Sequence, residues 1–222
     1  MVDIAEHSDA LDRAEARLRE EFATMFELET IHRFLHTSYE NFAARATVTM
    51  YLPLLAERFG RQRLQALAKI EGKVARPRPT VLFLCTHNAG RSQMALGFFE
   101  DLALGRAVAW SGGSVPGGQL NPAAVAVMAE VGVDISREYP KPWTDEIIRA
   151  ADVIVTMGCG DTCPLVPGVR YEEWIIEDPA GLDAELVRPI RDDIGHRVTG
   201  LLAELGIDVT DPVDTPPSSR TG

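Results

Sequence analysis

Residues 81–92 read Val-Leu-Phe-Leu-Cys-Thr-His-Asn-Ala-Gly-Arg-Ser, and this stretch decides the fold. The continuous apolar run that ends at Cys85 is typical of a strand buried on both faces of a parallel sheet. From about Ser92 to Leu104 the sequence predicts a helix. A strand, a loop and a helix in this order place the loop at the carboxyl edge of the sheet, where open α/β proteins bind their ligands.

The loop has the composition of an oxyanion site. Backbone N–H groups ahead of a helix N-terminus converge on one point, and the helix dipole favours negative charge there. Glycine permits a tight turn, asparagine tolerates left-handed backbone, and arginine offers a planar fork to two oxygens of a tetrahedral anion. The same positive field favours the thiolate form of Cys85, which we predict to be the nucleophile. The predicted oxyanion-binding residues are Thr86, His87, Asn88, Ala89, Gly90, Arg91 and Ser92.

Strands and helices alternate through the rest of this region. Further strands are predicted near Ala107–Ser111, Asp152–Thr156 and Val169–Glu172. Asn121 followed by proline opens one helix, and Asp183–Leu205 forms a closing helix. Alternating units of this length predict an α/β fold, a four-stranded parallel sheet with helices on both faces.

The N-terminal region has a different character. Residues 1–75 show three amphipathic helical segments, the first capped by Ser8, which predict a small all-α three-helix bundle. Glycine, proline and basic residues then break the helical pattern, so that residues 76–79 are predicted to be a linker. Residues 80–209 form the predicted catalytic domain, and residues 210–222 a disordered tail. A fragment that begins near Arg76 is therefore expected to fold and to keep its chemistry.

Composition excludes several functions. The chain has 22 Lys and Arg against 33 Asp and Glu, a formal charge of −11, which argues against nucleic-acid binding. No apolar stretch approaches the length of a membrane span, and the acidic N-terminus does not read as a secretory signal. We therefore expect a cytoplasmic protein that does not bind membranes.

The chain has three cysteines, Cys85, Cys159 and Cys163. An odd number in a cytoplasmic protein does not indicate a structural disulfide framework. No histidine lies near the second and third cysteines at zinc-finger spacing. His32 and His36 are four residues apart on a predicted helix, but no residues that would complete a metal site are evident. No metal is predicted.

The loop and two downstream motifs resemble the low-molecular-weight protein tyrosine phosphatase family, and more narrowly the arsenate reductases that share its fold. The matching stretches are residues 87–95, residues 156–164 (Thr-Met-Gly-Cys-Gly-Asp-Thr-Cys-Pro) and residues 177–181 (Glu-Asp-Pro-Ala-Gly). The resemblance covers about Thr80 to Gly206. The helical region lies outside it and resembles an accessory bundle fused to some actinobacterial relatives. Ser111-Gly112-Gly113 stands where the family more often has Ser-Ala-Gly.

Two features of the sequence favour a reductase over a phosphatase. The phosphatases usually carry a second cysteine where this chain has Gly90, and tyrosines follow their Asp-Pro pair where this chain has Ala180-Gly181. Cys159 and Cys163 follow directly after a predicted strand, so they leave the sheet at the edge that holds Cys85. Arsenate accepts two electrons, which one thiol cannot supply as a disulfide.

The resemblance implies a mechanism and its partners. Cys85 attacks arsenate, Arg91 stabilises the oxyanion, Asp178 donates a proton, and the disulfide passes through Cys159 to Cys163. No tightly bound cofactor is expected. An external dithiol protein completes the cycle, with thioredoxin favoured and mycothiol with mycoredoxin second. A phosphatase and a non-turnover oxyanion-binding or sensor protein remain alternatives. The oligomeric state and the role of the bundle stay open.

Overall fold

A computed structural model of the chain describes residues 4–158 and 165–209. A short 3-10 turn, Ile4–His7, precedes the first helix. The elements then follow in the order α1 (Ser8–Phe22), α2 (Leu28–Ala43), α3 (Leu52–Ile70), β1 (Thr80–Cys85), α4 (Arg91–Ala103), β2 (Val108–Gly113), α5 (Pro122–Glu130), α6 (Asp145–Ala150), β3 (Val153–Thr156), β4 (Arg170–Glu173) and α7 (Ala184–Glu204).

The three N-terminal helices form as the apolar periodicity predicts. Leu11, Leu18 and Phe22 recur along one face of α1 and are all buried. The predicted cap at Ser8 is wrong, because His7 occupies the N-cap position and no side chain caps the helix. The 3-10 turn runs directly into α1, so that Ser8 already lies inside the first helical turn.

The sheet has four parallel strands in the order β2-β1-β3-β4, which confirms the predicted fold class. Every residue of the central strand β1 is buried. Side chains of a strand alternate between its two faces. Val81, Phe83 and Cys85 pack in one core with residues of α4, α5 and α7. Leu82 and Leu84 face the opposite core.

The opposite core is shared between the sheet and the N-terminal helices. It contains Trp110 of β2 and the apolar residues of α6 together with the buried side chains of α1, α2 and α3. Polar contacts reinforce this packing, since Arg63 of α3 binds Glu146 of α6 at 2.5 Å and Lys69 of α3 binds Asp152 at 2.6 Å. The bundle thus covers one face of the sheet together with α6.

The second strand and the short helix α6 differ from the sequence prediction. Strand β2 extends to Gly113, two residues beyond the predicted end, and brings two glycines to the carboxyl edge of the sheet beside Cys85. The six-residue helix α6 was not predicted, because so short an element leaves little periodicity to detect. In the described part of the chain no helix is both long and apolar enough to cross a membrane.

Candidate active site

Cys85 ends β1 and points into the mouth of the loop that precedes α4. Its side chain is 2% exposed. The Sγ atom lies 2.9 Å from the Ser92 hydroxyl and accepts a hydrogen bond of 3.2 Å from the backbone N–H of Asn88. Both contacts stabilise negative charge on sulfur, as does the N-terminus of α4, which begins six residues after Cys85.

Asn88 shapes the loop. Its φ of 47° is in the left-handed region, and the side chain is fully buried. The side-chain amide donates to Ser92 Oγ at 2.8 Å, while the amide oxygen accepts from the backbone N–H of Lys141 at 2.9 Å. Asparagine suits this position because it tolerates left-handed backbone, and because its side chain hydrogen-bonds both Ser92 within the loop and Lys141 outside it.

Arg91 and Asp178 meet beside the loop. Arg91 is 7% exposed and begins α4, and its Nη2 atom donates to Asp178 Oδ2 at 2.7 Å. Its Nη1 atom donates to the backbone carbonyl of Ile176 at 3.3 Å. The structure brings together the two charged residues that the sequence assigned to the site, although 87 positions separate them.

The loop carrying Asp178 packs directly on the anion loop. A side chain at Gly90 would come within 2.7 Å of the Pro179 ring, so only glycine fits there. Asn121 caps α5 as predicted by accepting from two backbone N–H groups, and its amide donates to the Pro179 carbonyl at 2.9 Å. These contacts hold the acidic loop beside Cys85.

The remaining loop residues line its outer rim. Thr86 Oγ1 donates to the Gly158 carbonyl at 2.8 Å, and exposed His87 hydrogen-bonds through Nδ1 to the Val115 carbonyl at 3.1 Å. The Ala89 carbonyl accepts from the Asn121 N–H at 2.8 Å. These residues fix the path of the loop. The first N–H groups of a helix lack helical carbonyl partners, which makes the N-terminus of α4 suited to bind an anion.

Cys159 and Cys163 lie outside the described residues. Gly158, the residue before Cys159, lies two residues after the carboxyl end of β3. Gly158 has a φ of 74°, and a side chain there would come within 2.9 Å of the Arg91 guanidinium. The residue before Cys159 therefore contacts both Thr86 and Arg91 of the anion loop.

The sequence did not reveal one group that supports the site, the segment 137–141. Gln93 Nε2 donates to the Tyr139 carbonyl at 3.0 Å and to the Asn88 carbonyl at 3.0 Å. The Lys141 carbonyl accepts from the N–H of Gly113 at 2.9 Å. These partners lie far apart in sequence, and no motif within residues 137–141 identifies them.

The two histidines of α2 have an acidic neighbour on α1. Ligand atoms of Glu15, His32 and His36 lie within 4.8 Å of one another, so the structure supplies a third group that the sequence did not show. Both carboxylate oxygens of Glu15 already have partners, Arg19 at 2.5 Å and His32 at 2.8 Å. Burial, followed by the charge of His32, lowers the pKa of His36. Glu15, Arg19 and the two histidines thus form a polar cluster between α1 and α2.

Taken together, the site combines a buried thiol, a helix N-terminus, a guanidinium and a carboxylate at one sheet edge. Residues 80–211 match the family described as low molecular weight phosphotyrosine protein phosphatase, and residues 11–68 match the domain described as protein-tyrosine-phosphatase-like, N-terminal domain. The first match spans more than half of the chain, and the chain belongs to this family.

The similar proteins include several arsenate reductases. A solved structure of the Corynebacterium glutamicum thioredoxin-dependent arsenate reductase is 40% identical, covers 90% of this chain and 98% of its own, and superposes with a TM-score of 0.81. The arsenate reductase of Bacillus subtilis is 39% identical over 53% of this chain and 91% of its own length. The glutaredoxin arsenate reductase of Synechocystis sp. is 36% identical over 56% of this chain and 97% of its own.

Proposed function

We propose that this protein is an arsenate reductase that converts arsenate to arsenite by a relay through Cys85, Cys159 and Cys163. The observation that carries the proposal is the environment of Cys85, whose Sγ atom lies between the Ser92 hydroxyl and the Asn88 N–H at the N-terminus of α4. Sequence similarity to proteins named arsenate reductases supports the proposal, and one of these proteins is similar along 90% of the chain.

The first step is attack of the Cys85 thiolate on arsenic. The loop N–H groups and Arg91 hold the arsenate oxygens, and one oxygen leaves as water after accepting protons. Asp178 is the proposed proton donor, because its carboxyl group is half exposed and lies 2.7 Å from Arg91.

The second step transfers two electrons from sulfur to arsenic. Cys159 attacks Cys85 Sγ, the electron pair of the sulfur–arsenic bond stays on arsenic, and arsenite leaves. The Cys85–Cys159 disulfide that forms is then attacked by Cys163, which frees Cys85 as a thiolate and moves the disulfide to Cys159 and Cys163. The contact between Gly158 and Thr86 supports this order, since it puts the residue before Cys159 against the anion loop.

Thioredoxin is the proposed external reductant, reducing the Cys159–Cys163 disulfide to two thiols. The support is that the relative named thioredoxin-dependent matches the N-terminal helices as well as the catalytic region. Mycothiol with mycoredoxin is the second candidate. The name of the Synechocystis relative adds a glutaredoxin, but that match covers little more than half of this chain.

Paired assays distinguish this function from the alternatives. With thioredoxin, thioredoxin reductase and NADPH, we expect arsenate-dependent NADPH oxidation that is lost in Cys85→Ser. The family match leaves a phosphatase as the second candidate, and hydrolysis of p-nitrophenyl phosphate without any thiol reductant tests it. Suppose that p-nitrophenyl phosphate is hydrolysed efficiently, and that arsenate causes no NADPH oxidation with thioredoxin, with mycothiol and mycoredoxin, or with a glutaredoxin. This result would assign the site to phosphate esters. Stoichiometric binding without turnover of either substrate would indicate a sensor.

Replacing Arg91 by lysine is expected to lower kcat/KM for arsenate by roughly 100-fold, the cost typical of losing one preorganised oxyanion donor. Lysine keeps the positive charge but cannot bond two oxygens in a plane, and it cannot span from Asp178 to the Ile176 carbonyl as the guanidinium does. Steady-state kinetics at saturating thioredoxin measure the effect.

Arg188→Lys is the matched control for this substitution. Arg188 also forms a forked pair, with Glu130 at 2.7 and 2.8 Å, but on the surface of α7 away from the loop. We expect its kinetics to equal those of the parent. Equal kinetics for Arg91→Lys would remove Arg91 from the oxyanion site.

A further inference from the structure

Arg58 of α3 connects the N-terminal bundle to the segment 137–141, which supports the active-site loop. Its Nη1 atom donates to the Arg137 carbonyl at 2.6 Å and its Nη2 atom to Glu138 Oε1 at 2.9 Å. The guanidinium also lies over the Tyr139 ring, 4.6 Å from the ring centroid. One arginine of the bundle thus holds three consecutive residues of the segment 137–141.

This segment is held from its other side by Lys141. The Lys141 ammonium lies 3.3 Å from Glu138 Oε2 and 4.6 Å from the Tyr139 ring centroid. Its side chain is nearly fully buried, and burial lowers the pKa of Lys141. Glu138 therefore bridges two cations, one from the bundle and one from the catalytic region, with the Tyr139 ring in contact with both.

The same segment supplies the hydrogen-bond partners of Asn88. The Lys141 N–H donates to Asn88 Oδ1 at 2.9 Å, and the Tyr139 carbonyl accepts from Gln93, whose amide also donates to Asn88. Asn88 in turn donates its backbone N–H to Cys85 Sγ and its side-chain amide to Ser92 Oγ. A continuous chain of contacts therefore connects Arg58 to the sulfur atom of Cys85.

We infer that Arg58 is a positioning residue, through which the N-terminal bundle holds Asn88 in its left-handed conformation and so maintains the hydrogen bonds that Asn88 makes to Cys85 Sγ and Ser92 Oγ. The strain of that conformation makes the surrounding contacts necessary, since a non-glycine residue at positive φ persists only where neighbours fix it. Without Arg58, Glu138 and the carbonyl of Arg137 lose their bundle partner and the segment 137–141 can move. This inference rests on the proposed nucleophilic role of Cys85, but not on the identity of the oxyanion.

The test measures the reactivity of Cys85 in the full chain. In a Cys159→Ser, Cys163→Ser background Cys85 is the only thiol, because the sequence has three cysteines. Arg58→Met removes both guanidinium hydrogen bonds, to the Arg137 carbonyl and to Glu138, and keeps a side chain of similar length. Arg58→Lys keeps a positive charge opposite Glu138. The rate of iodoacetamide alkylation is followed against pH, and the pH of half-maximal rate is compared between variants.

Arg63→Met is the matched control. Arg63 lies on the same helix and also connects the bundle to the catalytic region, but through Glu146 of α6. Its Nη1 atom binds Thr37 and Ser38 of α2, within the bundle. It has no contact with the segment 137–141 among the described residues. A role limited to holding the two parts together predicts the same outcome for both substitutions, whereas a positioning role predicts different ones.

Arg58→Met is expected to raise the pH of half-maximal alkylation by about half a unit to one unit, the effect of weakening one hydrogen bond to the thiolate. Arg58→Lys should recover part of this shift. Arg63→Met should leave the alkylation profile unchanged, even where it lowers the melting temperature as much as Arg58→Met does. An unchanged profile in Arg58→Met, or an equal shift in Arg63→Met, would overturn the inference.

Turnover in the wild-type cysteine background separates this inference from the proposed function. At an assay pH below the parent's pH of half-maximal alkylation, Arg58→Met should lower kcat for arsenate about threefold to tenfold, in proportion to the lost thiolate, with little change in KM. If the parent reduces no arsenate while the alkylation shift is present, the proposed function fails and the role of Arg58 stands. If the parent reduces arsenate and Arg58→Met has the parent's kcat, the role of Arg58 fails.

Discussion

Cys163→Ser is expected to release about one arsenite per chain and then to stop, because the relay loses only its last thiol. Cys85 and Cys159 still supply two electrons, so one arsenate is reduced and the chain is left with a Cys85–Cys159 disulfide. Cys159→Ser should stall earlier, with arsenic held on Cys85 or released slowly by added thiol. Both substitutions abolish steady turnover, and they differ in what accumulates.

The geometry required for the first disulfide is demanding. The α-carbons of disulfide-bonded cysteines lie within about 7 Å of each other. Cys85 is buried at the end of β1, and the last described residue before Cys159 has its carbonyl 2.8 Å from Thr86 Oγ1, one residue beyond Cys85. Gly158 and Gly160 flank Cys159 in the sequence and permit backbone conformations that other residues resist.

Arsenite released after a single arsenate pulse, together with peptide mapping under non-reducing conditions, distinguishes the two stalled states. Cys85→Ser is the control, since it should release no arsenite and form no disulfide with arsenate. Wild-type turnover with thioredoxin in both Cys159→Ser and Cys163→Ser would contradict the relay. A mixed disulfide between Cys85 and a small thiol would then be the better account.

The loop and its flanking elements were predictable because their determinants are contiguous. An apolar run ending at Cys85, followed within seven residues by Gly90, Arg91 and Ser92, contains its own strand, turn and helix signals. The structure places these residues as predicted, with α4 beginning at Arg91 rather than Ser92. The position of Asp178 beside Arg91 rested on resemblance to a family, since spacing alone could not place it.

The support of the loop could not be predicted in the same way. Arg58, Glu138 and Lys141 are ordinary surface-type residues in sequence, and their pairing depends on how the bundle docks on the sheet. Periodicity identifies which face of a helix is buried but not which element will cover it. For this reason the helical region was expected to be separable, whereas the structure shows one core common to the bundle and the sheet.

This common core changes the expected behaviour of a chain that begins at Arg76. Removing the bundle uncovers Trp110 and the Tyr139 ring, which packs against Phe42 of α2 at a centroid distance of 5.7 Å. A large apolar side chain contributes roughly 1.5–3 kcal/mol when fully buried. Partial exposure of several such residues costs on the order of 5 kcal/mol, comparable with the whole stability of about 5–15 kcal/mol of a typical domain.

We therefore expect the fragment 76–222 to unfold at a much lower temperature than the full chain and to bind a hydrophobic dye, with little arsenate reduction. Adding residues 1–75 as a separate polypeptide should restore part of both stability and activity, because Arg58, Arg63 and Lys69 regain Glu138, Glu146 and Asp152. Circular dichroism melts and the thioredoxin-coupled assay measure the two effects. Two relatives are matched over 97% and 91% of their own length by little more than half of this chain, so similar chains exist without a further region as large as the bundle. A fragment that melts and turns over like the full chain would show that the shared core is dispensable, and it would also remove Arg58 from the support of Cys85.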